Sequence, residues 1–60
     1  MTIEQFDKQL GSINFKKAIY LGDKYIIWEV DWAERLLGLH SGKLNENIFW
    51  VRCENIELIP

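Results

Sequence analysis

Cys53 is the only cysteine in this chain of 60 residues, so no internal disulfide can hold the fold together. One His and one Cys are also too few for a structural zinc site, which takes four ligands. The acidic residues lack the spacing of a calcium loop. Folding must therefore rest on apolar burial alone. A chain of this size buries only about 60% of the surface that its unfolded form exposes. Almost every large apolar residue has to be used. The composition allows this, with 48% hydrophobic and 27% charged residues, a globular balance rather than a disordered one. A single domain over residues 1–60 is expected, with a helix in 1–11 and a sheet over 13–60.

Charge narrows the classes of partner. Seven Lys plus Arg stand against nine Asp plus Glu, a net charge of −2, and the two signs are interspersed. Nucleic-acid binders usually carry a basic excess, so nucleic acid is the less favoured partner. No dense anionic block suggests a DNA mimic. The N-terminal residues lack a basic segment followed by an apolar run, and no stretch approaches the roughly 20 apolar residues that span a bilayer. Without paired cysteines, a cytoplasmic protein with no membrane partner is expected.

Periodicity changes along the chain. Thr2-Ile3-Glu4-Gln5 reads as a capping box, with Ile3, Phe6 and Leu10 on one stripe of a short helix that Gly11 stops. From Ile13 to Leu21 apolar residues recur at every second position except Lys17, a strand signal. Gly22-Asp23 and a second β-rich run, Tyr25–Trp32, predict a tight hairpin with Gly22 at positive φ. On the second strand Ile26, Trp28, Val30 and Trp32 share the expected core face, opposite Tyr25, Ile27, Glu29 and Asp31. Residues 31–38 read either as a short helix opened by Asp31 or as a turn into a return strand with Leu37 and Leu39 inward. The turn is preferred. A polar loop over 38–47 precedes the clearest strand, Ile48–Cys53. There Phe49, Val51 and Cys53 face one way and Ile48, Trp50 and Arg52 the other. A 3₁₀ turn at 54–56 and a last short strand, Glu57–Ile59, follow.

The tail Phe49-Trp50-Val51-Arg52-Cys53-Glu54-Asn55-Ile56-Glu57-Leu58-Ile59 resembles the ending of small SH3-like barrels, which finish roughly W-V-x-x-E-N-[IL]-E-L-I. Similar endings occur in short proteins of phages and mobile elements. The resemblance covers residues 36–59. It implies an α+β domain, an N-terminal helix packed on a small, strongly bent, five-stranded antiparallel SH3-like barrel. Two features of peptide-binding SH3 domains are missing, the Ala-Leu-Tyr-Asp-Tyr motif and the Pro before the 3₁₀ turn, so polyproline recognition is unsupported. The basic stripe of RNA-binding barrels is missing too.

No residue set converges on catalysis. His40-Ser41 are adjacent loop residues without a nucleophile elbow around them. Cys53 reads as a small buried hydrophobe, and Glu54 with Glu57 as a solvated edge. Lys16-Lys17 with Tyr20 and Tyr25 form the one patch that hints at nucleic acid. No enzyme, no cofactor and no metal are therefore expected. Three Trp, two Tyr and three Phe are many for so small a core. Trp and Arg are enriched at interaction hot spots. The expected interface comprises Trp50, Arg52, Ile48, Tyr25 and Ile27, engaging a host or phage protein or a second copy of the chain.

Overall fold

The computed structural model describes residues 1–9 and 12–59. Leu10 and Gly11, the end of the apolar stripe and the expected helix stop, lie outside the described residues. Helix α1 (Ile3–Asp7) is shorter than the expected 1–11. Its capping box forms as the sequence predicts. The Gln5 amide donates to Thr2 Oγ1 at 3.0 Å, and the Thr2 amide donates to Gln5 Oε1 at 2.9 Å.

Five strands follow: β1 (Lys17–Tyr20), β2 (Asp23–Asp31), β3 (Leu36–His40), β4 (Phe49–Arg52) and β5 (Glu57–Leu58), with a 3₁₀ turn at Cys53–Asn55. All neighbours are antiparallel, and the order across the sheet is β4-β3-β2-β1-β5. The domain is thus α+β, as expected. The sheet is not closed into a barrel, because β4 and β5 stand at its two edges rather than pairing with one another.

The first hairpin turns one residue earlier than the sequence suggests. Tyr20 pairs with Asp23, which leaves Leu21-Gly22 as the two-residue loop, at φ 51° and 85°. Two positive φ values make this a type I′ turn, whose twist matches that of the flanking strands. Gly22 keeps its positive φ, but at the second central position. The first run also pairs with β2 over a shorter stretch than expected. Phe15 sits at φ 68°, which breaks the alternation ahead of Lys17 and leaves Ile13 to insert into the core from outside the strand.

Residues 32–35 form the turn rather than the helix. Asp31 Oδ1 accepts from the Glu34 amide at 3.0 Å, an Asx-type closure, and β3 returns directly with Leu37 and Leu39 fully buried. His40 still belongs to β3, so the polar loop begins only at Ser41.

The core comprises Phe6, Ile13, Ala18, Ile27, Leu37, Leu39, Val51, Cys53 and Ile56. Helix α1 covers one end of the core face of the sheet. The Phe6 ring lies 4.8 Å from that of Trp32, and Asp7 holds Arg35 through two hydrogen bonds of 3.1 and 3.2 Å. The Met1 amino group donates to the Cys53 and Ile56 carbonyls, tying the start of the helix to the 3₁₀ turn. Among the described residues no helix is long and apolar enough to cross a membrane.

Candidate protein interface

The face of the sheet opposite the core is organised around Gly38. It lies between two buried neighbours, Leu37 and Leu39, so strand alternation directs its missing side chain outward. Across the ladder it pairs with Trp50 on one side and Glu29 on the other. The register slips there: Ile27 pairs with Leu39 and Glu29 with Gly38, so Trp28 and Glu29 together oppose one residue. This β-bulge inverts the faces of β2. Before it, Ile27 points into the core; after it, Val30 and Trp32 do.

The bulge overturns the face assignment made from alternation. Ile27 is fully buried and cannot belong to an interface, whereas Trp28, expected in the core, is 49% exposed. Tyr25 shares Ile27's face. It sits at the rim of the core face with Tyr20 and Phe49, at ring separations of 5.1 Å to Phe49 and 6.4 Å to Tyr20. Of the five expected interface residues, the fold therefore unites Ile48, Trp50 and Arg52 on the face opposite the core and places Tyr25 and Ile27 elsewhere.

On the same face lie residues the sequence reading missed. Trp28 packs edge-on against Phe15 at 5.4 Å and lies 5.7 Å from the His40 ring. Phe15 is 66% and Trp50 46% exposed. Ile48 lies over the notch left by Gly38. A Cβ there would stand 3.1 Å from Ile48 Cδ1 and 3.4 Å from Glu29 Cβ. The one signal in the sequence was Gly38 itself. A glycine inside the run Leu36-Leu37-Gly38-Leu39 marks a bulge or a close approach.

Charged groups edge the aromatic surface. Arg52 donates to Glu54 Oε2 at 3.3 Å while its side chain stays 70% exposed. Glu54 also accepts from the Cys53 thiol at 3.3 Å. That hydrogen bond, a backbone amide and Arg52 together hold the Glu54 carboxyl below the usual carboxylate range. Burial first, and then the bond to Glu54, push the Cys53 thiol up, the opposite of an activated nucleophile. Asp7 raises the Arg35 guanidinium by the hydrogen bond and by its charge.

The loop after β3 is internally bonded. The Gly42 amide donates to His40 Nδ1 at 2.9 Å, so Nε2 carries the proton and donates to the Glu46 carbonyl at 3.0 Å. The Ser41 hydroxyl donates to the Glu46 carboxylate and accepts from the Lys43 amide. His40 and Ser41 thus each serve the loop, and neither bonds to the other.

Comparison with protein-family models, with curated proteins and with solved structures found no match to this chain.

Proposed function

We propose that this chain is a non-enzymatic protein-binding module on an open sheet of SH3-like strand order, using the face opposite the core around Trp50. The single observation that carries the reading is the exposure of Trp50 and of the Trp28–Phe15 pair on the face opposite the core, with Ile48 over the Gly38 notch, on a domain whose core is filled without them. Exposed apolar surface on one face of a small domain marks an interaction site, and Trp is the strongest anchor for one. The scaffold reading is supported by the meander from β1 to β4, the 3₁₀ turn, and the return of β5 to pair with β1. The internal bonding of the His40–Glu46 loop and the raised thiol of Cys53 support a non-enzymatic role. The tail's likeness to short phage and mobile-element proteins suggests an accessory or inhibitor protein that binds a host protein in the cytoplasm.

The test compares wild type with Trp50→Ala as immobilised bait in bacterial lysate, with folding checked by circular dichroism. Loss of a specific captured protein from a folded Trp50→Ala bait supports the reading. An unchanged captured set refutes it. Iodide quenching of Trp50 in a Trp28→Phe, Trp32→Phe background should fall when the partner binds. The alternative reading, a weak nucleic-acid-binding domain, draws on Lys17 and Lys24, which flank Tyr25, Ile26 and Ser41 in a small cleft. It requires a steep fall of affinity with salt, the signature of released counterions.

A further inference from the structure

We infer that His40 is a proton-operated latch. Neutral, it holds the turn at Ser41–Lys43 closed; protonated, it releases that turn and uncovers Ile26 beside Trp28. The latch works whatever the face around Trp50 binds.

His40 is the only histidine in the chain and the last residue of β3. Both of its ring nitrogens serve the loop that follows. Nδ1 accepts from the Gly42 amide at 2.9 Å, and Nε2 lies 3.0 Å from the Glu46 carbonyl. An amide N–H can only donate and a carbonyl can only accept. One form of the ring satisfies both contacts, the neutral tautomer with its proton on Nε2. The imidazolium is a donor at both nitrogens. A proton on Nδ1 faces the Gly42 N–H, donor against donor, and that contact is lost. The bond from Nε2 to Glu46 survives, so protonation opens the near turn of the loop and leaves its far end tied.

The surroundings favour this outcome. The Trp28 ring lies 5.7 Å from that of His40, within the range over which an indole attracts a cation, so the charged ring has a place to rest once Gly42 lets go. Among the described residues no carboxylate bonds the ring, and no new ion pair replaces the lost bond. The loop itself carries Lys43 and Glu46, and the Glu46 carboxylate is taken by the Ser41 hydroxyl. Strand β2 adds Lys24, two residues from the Ile26 that pairs with His40, and Glu29, which pairs with Gly38. On the β4 side Trp50 pairs with Gly38, and Arg52 is bonded to Glu54. The turn also has something to cover. Gly42 has φ 91°, and a Cβ on it would stand 3.7 Å from Ile26 Cδ1. Moving Gly42 away bares Ile26 on the same face as Trp28, which enlarges the apolar surface there.

Nuclear magnetic resonance of the full chain from pH 8 to pH 5, the range in which histidine changes charge, tests the latch. Nitrogen-15 shifts of the imidazole at pH 8 should show Nδ1 bare and Nε2 protonated. Exchange protection at the Gly42 amide, taken relative to an unstructured chain at the same pH, should fall roughly 2- to 12-fold by pH 5, the factor that one lost hydrogen bond gives. The Ile26 methyl and Trp28 ring signals should move with the same midpoint. Protection at Ile27 and Leu37, inside β2 and β3, should hold. His40→Gln takes up no proton and should abolish the response at Gly42. Glu46→Gln keeps the carbonyl, removes the nearby carboxylate and should retain the response. A bare Nε2 in the neutral ring, unchanged protection at Gly42, or a loss shared by Ile27 and Leu37 would overturn the latch on wild type alone. A response that persists in folded His40→Gln, or vanishes in folded Glu46→Gln, would overturn it as well. These outcomes leave the partner-binding reading untouched, since capture by Trp50 is measured separately.

Discussion

Phe6 is the side chain through which helix α1 is fastened to the sheet, and Phe6→Ala gives the sharpest test of the packing. Phe6 is fully buried, and its ring lies 4.8 Å from Trp32. The other members of its apolar stripe contribute less or lie outside the described residues: Ile3 is 42% exposed. Truncation of a buried Phe costs about 3–5 kcal/mol, as lost transfer energy plus a cavity. Unfolding entropy near the melting point is about 2.1 cal/mol/K per residue, or roughly 0.13 kcal/mol/K for a chain of this length. The melting temperature should therefore fall by at least about 20 °C. A core of this size supplies no more than about 3–5 kcal/mol in total, so much of the Phe6→Ala population should be unfolded at 25 °C. Thermal melts followed by far-ultraviolet circular dichroism measure the shift, and Trp32 fluorescence reports loss of its cover. A fall of less than about 8 °C, equivalent to roughly 1 kcal/mol, would mean that α1 is not part of the cooperative unit. The helix would then be a detachable arm, and deletion of residues 1–11 should leave the sheet intact.

The hairpin, the buried thiol and the two faces of the sheet supply further tests. Leu21→Asn should raise stability by about 0.5–1 kcal/mol in thermal melts, because Leu21 is exposed at φ 51° and Asn-Gly suits a type I′ turn; Gly22→Val should lower it by about 1–3 kcal/mol. Cys53 should resist thiol reagents at neutral pH and react only as fast as the domain opens, since burial raises its pKa. The raised pKa fixes the sign of the alkaline effect: the thiol's stabilising contribution is complete below its unfolded value of about 8.5 and is lost as pH climbs through the higher folded value. Wild type should thus lose melting temperature above that point more steeply than Cys53→Ala. Ile27→Ala should cost about 2–5 kcal/mol in denaturant titrations, whereas Trp50→Ala should stay within about 1 kcal/mol, which separates core from interface directly.

Some of this protein is decided by neighbouring residues, and for those parts the sequence alone suffices. The capping box at Thr2 and Gln5 needs only local backbone geometry. The alternation of Phe49, Val51 and Cys53 against Trp50 and Arg52 holds because β4 pairs without a register shift. The turn at 32–35 is only half decided this way: the Asp31 carboxylate and the Glu34 amide would equally open a helix, and it is the return of Leu37 and Leu39 into the core that makes it a turn. Strand β2 is different. Every residue from Tyr25 to Trp32 apart from Glu29 and Asp31 is a good strand former, so local preference cannot say which faces the core. A period-two pattern fixes faces only while the ladder is regular, and one extra residue turns every later side chain over. The bulge at Trp28 and Glu29 lets Ile27 enter the core beside Leu39 while Val30 and Trp32 also turn inward under the helix. No unbroken strand could bury all three. That choice is made by what the other strands and α1 offer to pack against, not by the segment itself. The exposed Trp28, the buried Ile27 and the aromatic face beside Gly38 therefore belong to the tertiary structure. Trp50 belongs to the sequence, because its strand is regular and its neighbours Val51 and Cys53 claim the core.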